Sequence, residues 1–346
     1  MPSSRTFSIP KSSQQAKRRR ALIGLPLLVL AAFCAALAIG SSDASLVDAL
    51  KALFSGDRND PAWRIVAYIR LPRALGALLA GAALSVSGII IQAVLNNPMA
   101  APNLIGVNAG AGFFVIVAMA LFPQLVAHLP LAAFLGALLA ALLIYAISAV
   151  TGAGRVTVTL VGVAVGSILT AGINTVKTLF PDSVYDVSGF LIGGLSAVSF
   201  RSVLPAAAMI LPALFLAVIC ARSLDALSLG GAVAGGIGVS VRRSRFLWLV
   251  LASVLAGAAV SFGGLLGFIG LIVPHAVRKV AGSESRHLLP LCAIGGGAFV
   301  TLCDTAARVA VAPFELPVGI VLSVLGGPFF LWLLMKRKGG RSDAGN

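Results

Sequence analysis

Residues 70–112 read RLPRALGALLAGAALSVSGIIIQAVLNNPMAAPNLIGVNAGAG, and their middle decides what kind of protein this is. Ala74 to Leu95 runs for about 22 residues without a charged side chain, enough to cross a bilayer as one helix. Arg70 and Arg73 bracket a proline at one end, and Asn96, Asn97 and Pro98 close the other. Small residues recur between them, at Gly76, Ala80, Gly81, Ser85 and Gly88, where a second helix can approach closely. The stretch reads as a packed transmembrane helix.

The whole chain agrees. It is 59% hydrophobic and 11% charged, with a mean hydropathy of +1.02, whereas ordinary globular domains are about 25% charged. A soluble fold could not hide so much apolar surface. The net charge of +15 would suggest nucleic acid in a soluble protein. Here topology explains it, and no nucleic-acid partner is read. Cys34, Cys220, Cys292 and Cys303 lie in apolar runs without metal-like spacing. They read as buried thiols, so neither a metal nor a cofactor is expected.

Lys17-Arg18-Arg19-Arg20 precedes a first apolar run, Ala21 to Gly40. Basic then apolar also describes a targeting peptide, but the run has nearly the length of a span and shows no clear cleavage pattern. Further runs follow Ala74–Leu95 at Ala109–Phe122, Leu131–Val150, Val156–Phe180, Val203–Cys220, Phe246–Phe262, Leu265–Val277, Leu288–Val311 and Val318–Met335. Leu265–Val277 is the shortest, and Ser188–Ser199 reads as a short non-spanning helix. The expected fold is all-α and polytopic, with about ten transmembrane helices. It has a basic tail at 1–20, one transmembrane domain at 21–335 and a C-terminal tail at 336–346.

Ten spans starting inside make a prediction about charge. The inside segments then hold 18 of the 26 Lys+Arg with only Asp225, Glu284 and Asp343, while the outside segments balance. That partition follows the positive-inside rule and puts both termini in the cytoplasm of a multi-pass protein. There is also an internal echo. Residues 79–88, LAGAALSVSG, match 255–264, LAGAAVSFGG, at seven of ten positions. Chance in an Ala/Gly-rich chain is one account. The other is an inverted repeat of helices 2–5 on helices 7–10, an architecture found in transporters.

Several chemistries are missing. There is no G-x-x-x-x-G-K-[ST] to bind ATP, no G-x-S-x-G and no H-E-x-x-H. His128, His275 and His287 are scattered, and no acidic residue lies near the middle of a span. The chain therefore reads as a transporter subunit rather than an enzyme, with any ATP hydrolysis in a partner. An ion-coupled secondary transporter is the alternative class, since sodium sites can be built from carbonyls alone.

Six ordered motifs carry a resemblance: RLPRALGALLAGAALSVSG at 70–88, NNPMAAPNLIGVNAGAG at 96–112, GFIGLIVPHAVRKVAG at 267–282, HLLPL at 287–291, DTAAR at 304–308 and ELPVGIVLSVLGGPFFLWLL at 315–334. With them the chain resembles the membrane permeases of bacterial ATP-binding cassette (ABC) importers for iron–siderophore complexes, haem and vitamin B12. The resemblance implies a permease of the bacterial inner membrane, surrounded by lipid and paired with a second permease, an identical copy before a different one. It also implies two ATP-binding cassette subunits and a periplasmic or lipid-anchored substrate-binding protein. The implied cargo is an iron(III)–siderophore, with haem or cobalamin as alternatives.

Residue roles follow from the same resemblance. Arg70, Arg73 and Arg308 fall at the outer rim, where the family's arginines meet acidic residues of the binding protein. Snorkelling or an internal pair such as Asp304 with Arg308 is the plainer reading. The 224–241 loop matches the family's coupling segment, with Leu224, Leu227, Leu229, Gly230 and Val239 against the ATPase. Gly231, Gly235 and Gly236 weaken that match, and a solvated loop is the alternative. Gly154, Thr157 and Thr159 fall where the family closes its cytoplasmic gate, or form an ordinary tight turn.

Overall fold

The computed structural model describes residues 11–40, 60–102, 106–150, 155–181 and 188–342. Its helices are α1 (Lys11–Ala38), α2 (Pro61–Val94), α3 (Val107–Leu121), α4 (Leu129–Val150), α5 (Arg155–Leu179) and α6 (Phe200–Ile219). They continue with α7 (Ala221–Ser228), α8 (Gly231–Gly236), α9 (Val241–Gly263), α10 (Ile269–Ala281), α11 (Ser285–Val309) and α12 (Val318–Ser342). No strand occurs among the described residues, only one β-bridge between Val311 and Phe314. The expected all-α polytopic fold is what the chain adopts.

Each of the ten expected spans has a helix, but eight are long and apolar enough to cross a membrane. α3 has 15 residues and α10 only 13, so at 1.5 Å per residue they reach about 22 and 20 Å of a ~30 Å core. α10 also starts later than the apolar run that suggested it. Gly264 has φ +69 and Phe268 has φ +63, so Leu265–Gly267 is a turn, not helix. The short helix expected at Ser188–Ser199 covers only 188–192, ending where Gly193 takes φ +87.

α2 is the centre of the bundle. Some 83% of its apolar window is buried, against 72% for α9 and α11 and 17% for α1 and α5. Ile89, Ile90 and Ile91 are all fully enclosed, which places helices on every side of this segment. Lipid tails are as apolar as leucine, so close packing rather than water exclusion holds such helices together. The small residues read from the sequence supply it. A Cβ on Gly81 would land on the carbonyl of Gly296 in α11, and one on Gly88 on the backbone of Gly270 in α10. α2 is regular except at Val66–Arg70, where the helix widens into a π turn.

Contacts fix the helix directions. Gly76 faces Phe262 while the Ser87 hydroxyl donates to the Ala252 carbonyl at 2.8 Å, so α2 and α9 are antiparallel. Gly88 and Gln92 both reach Gly270, and Gln92 also accepts from Arg278 Nη1 at 2.6 Å, so α2 and α10 run the same way. Arg70, Arg73 and Arg308 thus share one end of the bundle, and Arg242, Arg278 and Lys279 the other. Within the echo, Gly81 faces α11 and its counterpart Gly257 faces Phe134 and Ala137 of α4. α3 and α10 both start from a left-handed residue, Gly106 and Phe268.

Candidate functional site

The first arginine end is a buried charge network. Arg73 Nε donates to Asp304 Oδ2 at 2.9 Å and Nη2 to Oδ1 at 3.0 Å. Its Nη1 donates to Glu315 Oε2 at 2.6 Å. Arg308 donates from Nη1 to the Ala36 carbonyl at 3.0 Å and from Nη2 to Thr305 Oγ1 at 3.1 Å, and its Nε lies 3.4 Å from Asp304. Arg70 Nη1 donates to the carbonyls of Leu37 and Ala38 at 2.8 and 3.1 Å. The last turn of α1 is thus closed by two guanidiniums, which satisfy its orphan carbonyls and sit at the negative end of its dipole.

The three arginines are enclosed within the single chain. Arg70, Arg73 and Arg308 are only 3%, 5% and 3% exposed, and each hydrogen-bonds within the chain. The Asp304–Arg308 proximity inferred from i,i+4 spacing exists, but the principal partner of Asp304 is Arg73. Glu315, with a 28% exposed side chain, is the member of the network nearest the surface. Asp304 and Glu315 were missed as functional residues. Their signal was present as the acidic positions of DTAAR and ELP.

The 224–241 segment divides differently from the sequence reading. Leu224 and Leu227 are 0% and 3% exposed and belong to the core, so they do not present a surface. Asp225 Oδ1 accepts from the Ser285 N–H at 2.9 Å, fixing the first turn of α11. Gly230 turns the chain at φ +103 between α7 and α8, and Val239 is half-buried. What faces outward is Leu229, Val233 and Ile237, 64%, 51% and 63% exposed and four residues apart. Val233 and Ile237 were not singled out from the sequence; they lie four residues apart in α8 and its C-cap, beyond the break at Gly230.

Of the gate residues, Gly154 lies outside the described residues. Thr157 is half-buried in the first turn of α5, and Thr159 follows in the same helix. Further along, α5 borders an open groove of about 720 Å³ shared with α3. Ser167, Thr170, Asn174 and Lys177 line it at helical spacing, opposite Asn108, whose Oδ1 is buried without a donor. A row of hydroxyl, amide and ammonium groups facing hydrocarbon would be costly, so this face of a spanning helix belongs against water or protein. No group of three His, Cys, Asp or Glu side chains that could hold a metal occurs among the described residues.

A profile of the FecCD transport family matches residues 27–336. The chain belongs to the FecCD transport family. The hemin transport system permease protein HmuU of Yersinia pestis is 36% identical over 330 residues, covering 93% of this chain and 98% of that protein. The Fe(3+)-citrate import system permease protein YfmD of Bacillus subtilis is 35% identical, covering 87% and 90%. The cobalamin import system permease protein BtuC of Halobacterium salinarum is 40% identical, covering 79% and 74%. A solved structure of a metal-chelate type ABC transporter in an inward-facing conformation superposes with a TM-score of 0.81 at 25% identity, covering 92% of this chain and 99% of that one.

This FecCD-family chain is therefore a transport permease of an ABC importer and not an enzyme, and ATP hydrolysis falls to separate subunits. Its missing phosphate-binding loop and its multi-pass helical body have the same explanation. The α5 groove opens into that body, and the exposed Leu229, Val233 and Ile237 lie at the body's basic end.

Proposed function

We propose that this permease imports an iron(III) chelate, a siderophore complex before any other, across the bacterial inner membrane by alternating access. Haem or cobalamin is the second reading, because relatives named for hemin and for cobalamin are as similar as those named for iron complexes. The observation that carries the proposal is the polar row Ser167–Thr170–Asn174–Lys177 lining the groove along a spanning helix. It gives a polar cargo a wetted surface without a site that would retain it. Two copies of the chain place two such grooves around one axis. Each copy keeps both termini in the cytoplasm, and α2–α5 and α9–α12 form an inverted repeat.

At the basic end, the Leu229, Val233 and Ile237 face docks an ATP-binding cassette subunit, with Gly230 and Val239 shaping its turns. Leu224 and Leu227 anchor the same segment to the core, so subunit closure is transmitted to α7 and α11. At the other end a substrate-binding protein docks on the arginine network. Its carboxylates compete with Glu315 for Arg73, while Asp304 keeps Arg73 and Arg308 in place. Thr157 and Thr159, with Gly154, form the cytoplasmic closure.

Reconstitution with its ATPase and binding-protein partners, followed by uptake of ⁵⁵Fe-labelled siderophore, ⁵⁵Fe-haem or ⁵⁷Co-cobalamin, tests the reading. ATP-dependent uptake of the siderophore alone is expected. Uptake of cobalamin alone, or uphill uptake without nucleotide, would overturn it.

A further inference from the structure

A second cavity, of about 380 Å³, opens between α4 and α9 at the basic end of the bundle and shares no residue with the α5 groove. Tyr145, Ser240, Arg242, Arg243 and Phe246 line it. The Tyr145 and Phe246 rings bridge the two helices, with centroids 5.3 Å apart and planes tilted by 46°. The Tyr145 hydroxyl donates to the Arg242 carbonyl at 3.4 Å, the long end of hydrogen-bonding range.

The charge here has the wrong sign for its place. α9 opens with Val241-Arg242-Arg243-Ser244-Arg245 and has no acidic residue in its first turn. Carboxylates favour a helix N-terminus and cations oppose it. Among the described residues none of the three arginines lies within ion-pair distance of a carboxylate, and Arg245 Nε is buried without an acceptor. Asp225, the acidic residue nearest in sequence, is occupied by the Ser285 N–H. Arg242 and Arg243, which line the pocket at a positive dipole end, call for an anion from outside the chain.

The surroundings say which kind. Beside the two arginines the pocket is walled by the Tyr145 and Phe246 rings, and Phe246 is 40% exposed. A ligand fitting both would have an anionic head and a hydrocarbon body. In the topology proposed above this is the cytoplasmic interface, where anionic lipids collect and basic pockets between helices hold their head groups. We propose that the Arg242–Arg243 pocket binds the phosphate head group of an anionic phospholipid. Its acyl chains leave past the exposed Phe246 ring, and it fastens α4 to α9 beside the segment that faces the ATPase.

The full-length chain, purified in mild detergent, is titrated with phosphatidylglycerol or phosphatidylcholine, and bound lipid is counted by native mass spectrometry. Wild type is expected to prefer phosphatidylglycerol. R242Q/R243Q should weaken that binding roughly 30-fold, about fivefold for each basic side chain. R242K/R243K should retain most of it, and R286Q, outside the pocket, should match wild type. F246W keeps both arginines, so it serves if the double variant misfolds: brominated phosphatidylglycerol should quench it more strongly than brominated phosphatidylcholine. Equal quenching, or unaltered binding by a folded R242Q/R243Q, overturns the proposal. Full displacement by inorganic phosphate would assign the pocket to a free anion, and expulsion of lipid by the ATPase subunit would assign it to that partner. Either result overturns it too. None of these readouts involves transport, so the proposed import function stands or falls separately.

Discussion

Arg73 and Asp304 stand 231 residues apart in sequence and meet in a two-pronged, buried hydrogen-bonded pair. Each comes from a different helix, and the pair joins α2 to α11 just beyond the Gly81–Gly296 crossing. A buried charge deprived of its partner is far more costly than a buried pair is helpful.

D304N is accordingly expected to cost roughly 3–5 kcal/mol, since it leaves Arg73 and Arg308 short of a counter-charge. E315Q, which leaves the Asp304 pair intact, should cost about 1 kcal/mol or less. Heating the detergent-solubilised chain and following the monodisperse peak by gel filtration measures both. R73M/D304M should recover part of the loss. Equal melting of D304N and E315Q would show that Asp304 does not organise the network.

Charge reversal at Arg70, Arg73 or Arg308 is expected to lower folded yield as well as docking, because all three are enclosed. E315Q separates the two effects. If binding-protein carboxylates compete with Glu315, this variant should dock more tightly in a pull-down while folding normally. Unchanged docking would remove Arg73 from the contact.

V233D/I237D should fold and reach the membrane but lose ATPase binding by about 30-fold, the ~2 kcal/mol scale of an interface hot spot. L227D should instead deplete folded protein, because Leu227 is in the core. The ratio of ATPase to permease in co-purification distinguishes them. Normal retention in a folded V233D/I237D variant would dismiss this face as the coupling surface.

G81A is expected to destabilise by about 1–3 kcal/mol, since the added methyl would meet backbone of α11. G166A, with nothing within 4 Å of its Cβ, should stay within about 0.5 kcal/mol of wild type. Thermal unfolding of the two variants gives the comparison.

In a background with Cys34, Cys220, Cys292 and Cys303 replaced by serine, T170C and N174C should react readily with a charged, membrane-impermeant maleimide. F215C, on an exposed apolar helix face, should not. Protection of T170C and N174C equal to that of F215C would place the α5 row outside any aqueous path.

The bundle was legible because hydropathy and small-residue spacing are local, and α2 carries both. The Lys/Arg counts that carry the proposed sidedness are local for a similar reason, as each loop contributes its charges independently. Less legible was anything set by contacts distant in sequence. The arginines beside α2 could not announce that Asp304 and Glu315 would enclose them. Leu224, Leu227 and Leu229 look alike in the sequence, yet only the break at Gly230 and the packing of α7 decide which one faces out. α10 was overextended because Gly264 to Phe268 is as apolar as a helix, while its backbone is left-handed at both ends.

The π turn at Val66–Arg70 has a consequence for how relatives of this chain can diverge. One residue too many is already accommodated there, so losing a single codon would let the helix revert to regular winding. Everything from Leu71 onward could stay seated, while Pro61–Ile65 and the Trp63–Tyr68 ring contact would swing by about 100° around the axis. Length changes that would wreck the buried part of α2 become, at this one point, a mild way to re-aim its first turn.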